Sequence, residues 1–400
     1  LLSLNHAPEK TGIGKYQGEI AQWFAQHGHD VTIVTAPPYY PEWKISEGYS
    51  GWWYKREKLD GTEIYRVPLY VPKNPSGTKR MLHLLSFAIT SFPVMLWLAL
   101  RKRPDAIMMT EPPLMAAPAT LFSGLIGGAR TYLHVQDFEV DAAFELGLLK
   151  KPWLKKCAFW LERKALNAFH CVSTISPNMR KKLLDKGLPE SKTALVQNWA
   201  NTNMFDPAKG EGKWKEQLKQ DPNTILVVYS GNLGRKQGLE CIVEAALLLK
   251  DEHHLKFVVS GDGAGREDMI KAAEGLNNIT FLPLQPFDDF VHLMIAADIH
   301  LLPQKAGAAD LVMPSKLGNI LASARPVIVG AAEGTQVHEA VQGCGLSVEP
   351  ENANAFVKAI KILANDKKLR EAMGEQAAKR AERDWSKQSL LLKMEEMLSQ

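Results

Sequence analysis

An α/β protein built from two doubly wound domains is predicted by three observations. Apolar, β-branched runs alternate with amphipathic segments, which implies parallel βαβ units. The alternation occurs twice, on either side of Asn198–Gly212, a stretch rich in Asn, Pro and Gly that reads as a linker. The chain has 400 residues, enough for two or three domains at roughly 100–200 residues each.

In the first series Leu1–Leu4 reads as a strand, followed by a loop and a helix over Lys15–His27. Tyr16, Ile20, Trp23, Phe24 and His27 fall on one face of that helix, and Gly28 ends it. Val31–Thr35 is the next strand, rich in β-branched residues. Asp105–Met109, Thr131–His134 and Cys171–Ile175 extend the same sheet. Between them, Met81–Leu100 is a run of 20 largely apolar residues flanked by Lys79-Arg80 and Arg101-Lys102-Arg103. It is long enough for a membrane span. A buried core helix and an interfacial helix with basic anchors are the other two readings. A span would put parts of one sheet on opposite sides of a bilayer.

The second series is cleaner. Strands are expected at Ile225–Ser230, Lys256–Ser260, Ile279–Leu282, Ile299–Leu302 and Val327–Val329. Helices are expected at Leu239–Lys250, near Arg266–Glu274 and Asp289–Ala296, and at Ser315–Ala324. Trp385, Leu390, Leu391, Met394 and Met397 then recur at helical spacing towards the end of the chain. In doubly wound sheets ligands bind at the carboxyl ends of the strands, and two such domains facing one another enclose a central cleft.

Composition narrows the function. Hydrophobic residues at 46% and charged residues at 23% are ordinary for a soluble globular chain and exclude disorder and disulfide scaffolds. Cys157, Cys171, Cys241 and Cys344 show no Cys-x-x-Cys spacing and no neighbouring His cluster, so no metal ligand set is assigned. No secretory signal is visible, and a reducing cytoplasm is the expected compartment. The chain opens in an apolar run without Met, and a few residues are expected to precede it. Net charge is +4, split unevenly: 25 basic and 17 acidic residues in 1–200 give +8, and 23 against 27 in the remainder give −4. A basic half suits phosphates or an anionic membrane. No nucleic-acid motif accompanies it.

Five loops are candidates for chemistry. Gly12, Gly14 and Gly18 precede or open a helix, where backbone amides approach an anion. Seven residues, Asn5–Thr11, separate them from the strand, and the second strand ends without an acid, so a dinucleotide fingerprint is not met. Ser230–Gly238 carries Gly231, Asn232 and the adjacent cations Arg235 and Lys236, which suit a diphosphate. Gly261 and Gly263 form a tight turn after the next strand, either beside a ligand or as a plain connection. Asp310, Met313, Pro314, Ser315 and Lys316 lead into a helix that Ser315 can cap. Gln136, Asp137, Glu139 and Asp141 follow a first-domain strand and suit sugar hydroxyls, acid/base work or, less readily, a cation. The stiff aromatic stretch Ala36–Trp43, with Trp52 and Trp53 beyond it, suits either packing or sugar rings.

Together, Thr11–Tyr16, Ala36–Trp43, Tyr70–Pro72, Gln136–Asp141, Ser173–Ser176, Ser230–Glu240 and Pro314–Ala322 resemble the GT-B glycosyltransferases of family 4. More narrowly they resemble its colanic-acid-biosynthesis branch, and the resemblance covers essentially the whole chain. It implies domains at 1–197 and 213–375, a linker at 198–212, and a C-terminal helix at 376–400 crossing back to the first domain. It implies transfer of a sugar from a nucleotide donor, with GDP-fucose as the expected donor, to a polyprenyl-diphosphate-linked saccharide. The enzyme would work without metal or other cofactor, with retention, on the cytoplasmic face of the membrane. Arg235 and Lys236 would neutralise the leaving diphosphate, and Gln136 and Asp137 would stand where the family has a His-Asp pair. Gly12, Gly14, Gly231, Asn232, Gly261, Gly263, Asp310, Met313, Pro314, Ser315, Lys316 and Asn319 would hold the donor. The family's paired Glu fall near Leu311, with Asp310 beside it, and at Asn319. Its strand-end Arg falls at Asn232 and its Lys at Gln237 or Lys236. Alternatives are a UDP-sugar donor, a nucleotide-sugar epimerase using Asp137 and Glu139, and a non-enzymatic membrane assembly protein.

Overall fold

A computed structural model describes residues 1–9, 12–73, 77–141, 152–200, 202–205, 210–218, 221–234, 237–305, 313–314 and 316–399. Two compact units emerge: Leu1–Val196 joined by the residues from Leu391 onward, and Gln197–Leu390.

In the first unit the order is α1 (Gly12–Gln26), β1 (Thr32–Thr35), β2 (Lys55–Leu59), β3 (Thr62–Arg66), α2 (Gly77–Lys102), β4 (Ala106–Glu111), α3 (Ala117–Gly127), β5 (Arg130–Val135), α4 (Pro152–Ala168), β6 (Cys171–Thr174), α5 (Pro177–Asp185) and β7 (Thr193–Leu195). The sheet runs β2-β3-β1 and β4-β5-β6-β7. Leu2 joins these parts by parallel bridges to Val34 and Met109. The expected strand at Leu1–Leu4 is thus a single bridging residue. Leu2 N–H donates to Met108 at 2.8 Å, and its carbonyl accepts from Thr110 N–H at 2.9 Å. β1, β4, β5 and β6 read as short buried runs, as parallel strands covered on both faces do. The β2–β3 hairpin is absent from the sequence reading, because Lys55–Leu59 is largely exposed and charged.

The first helix begins at Gly12, three residues before the expected Lys15. Gly12 and Gly14 are therefore its first turn rather than a loop ahead of it. The apolar run expected over Met81–Leu100 lies inside α2, which buries His83, Phe87, Met95 and Leu98 and leaves its opposite stripe exposed.

The second unit runs α6 (Lys213–Leu218), β8 (Ile225–Ser230), α7 (Glu240–Leu248), β9 (Leu255–Ser260), α8 (Arg266–Ala272), β10 (Ile279–Leu282), α9 (Phe287–Ala296), β11 (Ile299–Leu302), α10 (Lys316–Ala322), β12 (Val327–Gly330), α11 (Gln336–Val341), β13 (Gly345–Val348), α12 (Ala353–Asn365), α13 (Lys367–Trp385) and α14 (Lys387–Ser399). Its sheet is β10-β9-β8-β11-β12-β13, parallel throughout. Along β8, Ile225, Val227 and Tyr229 face one core, and Leu226 and Val228 face another. Strand order reverses between β8 and β11, the switch point at which such sheets bind ligands.

From Leu391, α14 belongs with the first unit. Leu391 and Met394 are fully buried, and His29 Nε2 lies 2.6 Å from Glu395 Oε1.

Candidate functional site

The second unit's switch point is built from three loops. Of the residues expected there, Gly231, Asn232, Gly261, Gly263, Met313, Pro314, Lys316 and Asn319 are described. Arg235, Lys236, Asp310 and Ser315 lie outside the described residues.

The loops after β8 and β9 are locked together through backbone. Leu233 N–H donates to the Asp262 carbonyl at 2.8 Å, and Gly265 N–H to the Leu233 carbonyl at 2.8 Å. This close approach explains two glycines. A Cβ on Gly261 would stand 1.9 Å from the Gly231 carbonyl oxygen, and one on Gly263 2.6 Å from Asn232 Oδ1. Both have positive φ, 145° and 152°. The Gly261–Gly263 turn therefore braces the loop after β8.

Lys316 opens α10, and its ammonium reaches back over β8. It donates to Tyr229 Oη at 2.7 Å and Gln237 Oε1 at 3.1 Å, and lies 4.4 Å from the Tyr229 ring centroid. Tyr229 Oη has one proton to give and two acceptors in reach, Gln237 Oε1 at 2.6 Å and the Asn232 carbonyl at 2.8 Å. A Cβ on Gly231 would come within 3.1 Å of Lys316 Nζ, so glycine leaves the ammonium room at the strand end. Among the described residues Lys316 makes no ion pair. Burial pulls its ammonium down to about 8. Asn319, one turn further along α10, is half-buried on the same side of the helix. Tyr229 escaped the sequence reading because it sits in an apolar strand and looks like core.

The first unit shows a related arrangement at its own reversal, between Leu2 and β4. Glu9, buried, accepts from Tyr39 and Tyr40 N–H through Oε1 at 3.0 Å each and from Asn5 Nδ2 at 2.9 Å. Burial raises its carboxyl above the ordinary range, and these donors oppose the rise. A Cβ on Gly14 would meet Glu9 Oε2 at 2.5 Å, and one on Gly18 the Ala7 Cβ at 2.9 Å. Gly14 is thus required by Glu9. Gly12 is exposed, with φ 59°, and rests near the Tyr40 ring. Arg66, 2% exposed, holds the Ala36 and Ala7 carbonyls at 2.9 and 2.7 Å, fixing both loops to the sheet.

At the end of β5, Gln136 is half-buried and Asp137 exposed. Gln136 Nε2 lies 2.9 Å from Nε2 of His134, whose Nδ1 lies 2.9 Å from Ser173 Oγ. Burial pulls His134 down to about 4. A neutral ring with its proton on Nδ1 donates to Ser173 and accepts from Gln136, fixing that amide. Glu139 does not join Asp137 as a solvent-facing pair; its Oε2 accepts from Leu114 N–H at 2.7 Å.

Behind these residues sit two acids the sequence reading did not single out, Glu111 and Glu162. Glu111, fully buried at the end of β4, accepts from Glu139 N–H at 3.3 Å, and its Oε2 has no described partner. Glu162 and Asp141 share Lys186, at 2.5 and 2.7 Å. Burial, then the charges of Glu139 and Glu162, push the Glu111 carboxyl well above the usual range. A carboxyl raised on folding loses stability as pH climbs from its unfolded value towards its folded one. Glu111→Gln removes that loss, so its unfolding midpoint relative to wild type should gain more at pH 8 than at pH 5. Equal differences at the two pH values in paired melts would contradict a protonated Glu111. Among the described residues no group of three His, Cys, Asp or Glu is arranged to hold a metal.

Two parallel-sheet, doubly wound α/β units are the architecture of the GT-B class of glycosyltransferase. Sucrose-phosphate synthase from Thermosynechococcus elongatus shares the fold, with a TM-score of 0.66 at 16% identity over 99% of this chain and 97% of that one. The chain belongs to the glycosyltransferase family: residues 11–199 match the glycosyl transferase 4-like domain and residues 211–380 the glycosyl transferases group 1 domain. It is 43% identical over 369 residues, 90% of either chain, to the Escherichia coli (strain K12) protein described as putative colanic acid biosynthesis glycosyl transferase WcaI. It is 27% identical over 252 residues to the Campylobacter jejuni N,N'-diacetylbacillosaminyl-diphospho-undecaprenol alpha-1,3-N-acetylgalactosaminyltransferase, covering 61% of this chain and 63% of that one. The chain is therefore a glycosyltransferase.

Proposed function

We propose that this glycosyltransferase acts in exopolysaccharide synthesis of the colanic acid type. It moves fucose from GDP-fucose to a saccharide carried on a polyprenyl diphosphate, on the inner face of the cytoplasmic membrane. The polysaccharide assignment is supported by the described role of the Escherichia coli relative, and the lipid-linked acceptor by the name of the Campylobacter jejuni one. A diphosphate-linked donor is supported by one observation, the Lys316 ammonium held at the switch point by Tyr229 and Gln237; guanine and fucose follow from the family resemblance.

In the proposed reaction an acceptor hydroxyl attacks the anomeric carbon as its bond to the diphosphate oxygen breaks. The hydroxyl proton passes to the leaving diphosphate on the same face, so configuration is retained and the products are the glycoside and GDP. The developing charge is met by Lys316, with Arg235 and Lys236 of the same loop set and the amides at the start of α10. No metal is assigned to this step. In the second unit Asn319 takes a ribose hydroxyl; in the first unit, by the family resemblance, Gln136 and Asp137 take sugar hydroxyls and Gly12 and Gly14 offer backbone amides.

Thermal melting with GDP, UDP and ADP in parallel, each with a chelator, tests the donor. At a hundred times the dissociation constant GDP should add about 2.7 kcal/mol to stability. A shift by UDP alone overturns the guanine donor and keeps the transferase. A shift that vanishes with the chelator overturns the metal-free reading.

A further inference from the structure

Helix α2 carries apolar residues on both faces. Its inner face packs into the first unit's core through Leu84, Phe87, Met95 and Leu98. A surface helix normally turns polar groups outward. Here the outward stripe is Leu82, Leu85, Ile89, Trp97 and Leu100, exposed by 42–65%. The neighbouring α3 repeats the pattern without a single charge: it buries Ala119, Thr120 and Ser123 and exposes Phe122, Leu125 and Ile126, with Leu125 at 79%. Phe92 of α2 stacks on Phe122 at 6.4 Å between centroids, so the two stripes are continuous.

What surrounds this face is cationic. Neither helix contains an acid; Lys79 and Arg80 stand at one end of α2 and Arg101 at the other, where the adjacent Lys102 is taken up by Glu63 at 2.7 Å. Beside α2, Trp52 and Trp53 project from a loop at 84% and 77% exposure, pinned by the Tyr54 hydroxyl donating to the Thr90 carbonyl at 3.2 Å. Apolar faces rimmed by Lys and Arg, with Trp and Tyr at the edge, match the layered chemistry of an anionic bilayer surface.

We propose that α2 and α3 together form a membrane-insertion face, with α3 entering the acyl boundary and the cationic ends of α2 at headgroup level. The helix lies on the bilayer and does not span it. Its 26 residues are long and apolar enough to cross, but its inner face is committed to the core. The proposal deepens the lipid-linked acceptor reading and rests on it for its purpose.

The test is flotation of the full chain with vesicles of phosphatidylethanolamine and phosphatidylglycerol, against pure phosphatidylcholine. Wild type should float with the anionic vesicles and about tenfold less with the neutral ones. Leu125→Glu/Ile126→Glu should abolish flotation while its melting midpoint and its stabilisation by GDP stay at wild-type values. Arg101→Ala should bind about fivefold more weakly. Equal flotation by the double variant overturns the proposal. So does a wild-type dimer that the double variant makes monomeric with no vesicle binding in either, which would assign the face to a second copy. Vesicle binding without response to any nucleotide sinks the donor reading and leaves this one standing.

Discussion

Methionine in place of Lys316 should lower the transfer rate by roughly 10²–10³-fold, the usual loss of one preorganised charge-stabilising donor. The same change should raise the unfolding midpoint. Methionine keeps most of the stem, and Tyr229 and Gln237 still satisfy one another across their 2.6 Å hydrogen bond. What disappears is a buried ammonium with no described counter-charge. Its value of about 8, against 10.5 for an ordinary lysine, puts the cost of holding that charge on the order of 3 kcal/mol. The sign fixes a pH signature. Between pH 8 and 10.5 the folded chain has shed the proton and the unfolded chain has not, so wild-type stability rises through that window. The methionine variant lacks the rise, and its advantage should be largest below pH 8 and fade above it. Melts across pH, with initial rates on donor and acceptor, check both halves. A variant that is less stable, or as fast as wild type, removes Lys316 from the diphosphate site.

Alanine at Gly261 is the second large effect, and it acts through architecture. Its methyl would need the space of the Gly231 carbonyl oxygen, 1.9 Å away, at a φ of 145°. Relief requires parting the loops after β8 and β9, which share the hydrogen bonds of Leu233 and Gly265. A loss above about 3 kcal/mol is expected, from overpacking and backbone strain acting together. Gly275→Ala is the matched control: φ is 83° and nothing lies within 4 Å of the added carbon, so only the strain remains, about 1–2 kcal/mol. Chemical denaturation that places the two variants within 0.5 kcal/mol of one another would refute the brace.

How legible these features are depends on what the chain buries. β8 and β11 begin and end where the sequence places them, because a strand covered on both faces is a continuous apolar run. β2 carries Lys55, Arg56, Glu57 and Lys58 at a sheet edge, where charge guards an open ladder and erases the apolar signal. α1 is misplaced by three residues because glycine has weak helix propensity, whereas Gly14 and Gly18 are required by contacts with Glu9 and Ala7. In the site, the glycines stand out and the groups that give them meaning do not. Tyr229 is hidden in an apolar strand, and Glu9, Arg66 and Glu111 are single polar residues whose burial no local pattern announces. The double-faced α2 is the instructive case. Its composition allowed a core helix, an interfacial helix or a span, and the buried and exposed stripes show that one helix has both a core face and an outward apolar face.

The last helix carries a consequence for recombination. α14 starts in the second unit, yet from Leu391 it completes the first, with Leu391 and Met394 fully buried and Glu395 beside His29. The first unit is therefore encoded at both ends of the chain. A chimera that exchanges residues 1–196 with a relative inherits a foreign closing helix, and a fragment ending at Val196 leaves its seat uncovered. Shuffling of the two units among such enzymes must carry the tail with the head, so the heritable module is circular and not a simple amino-terminal block.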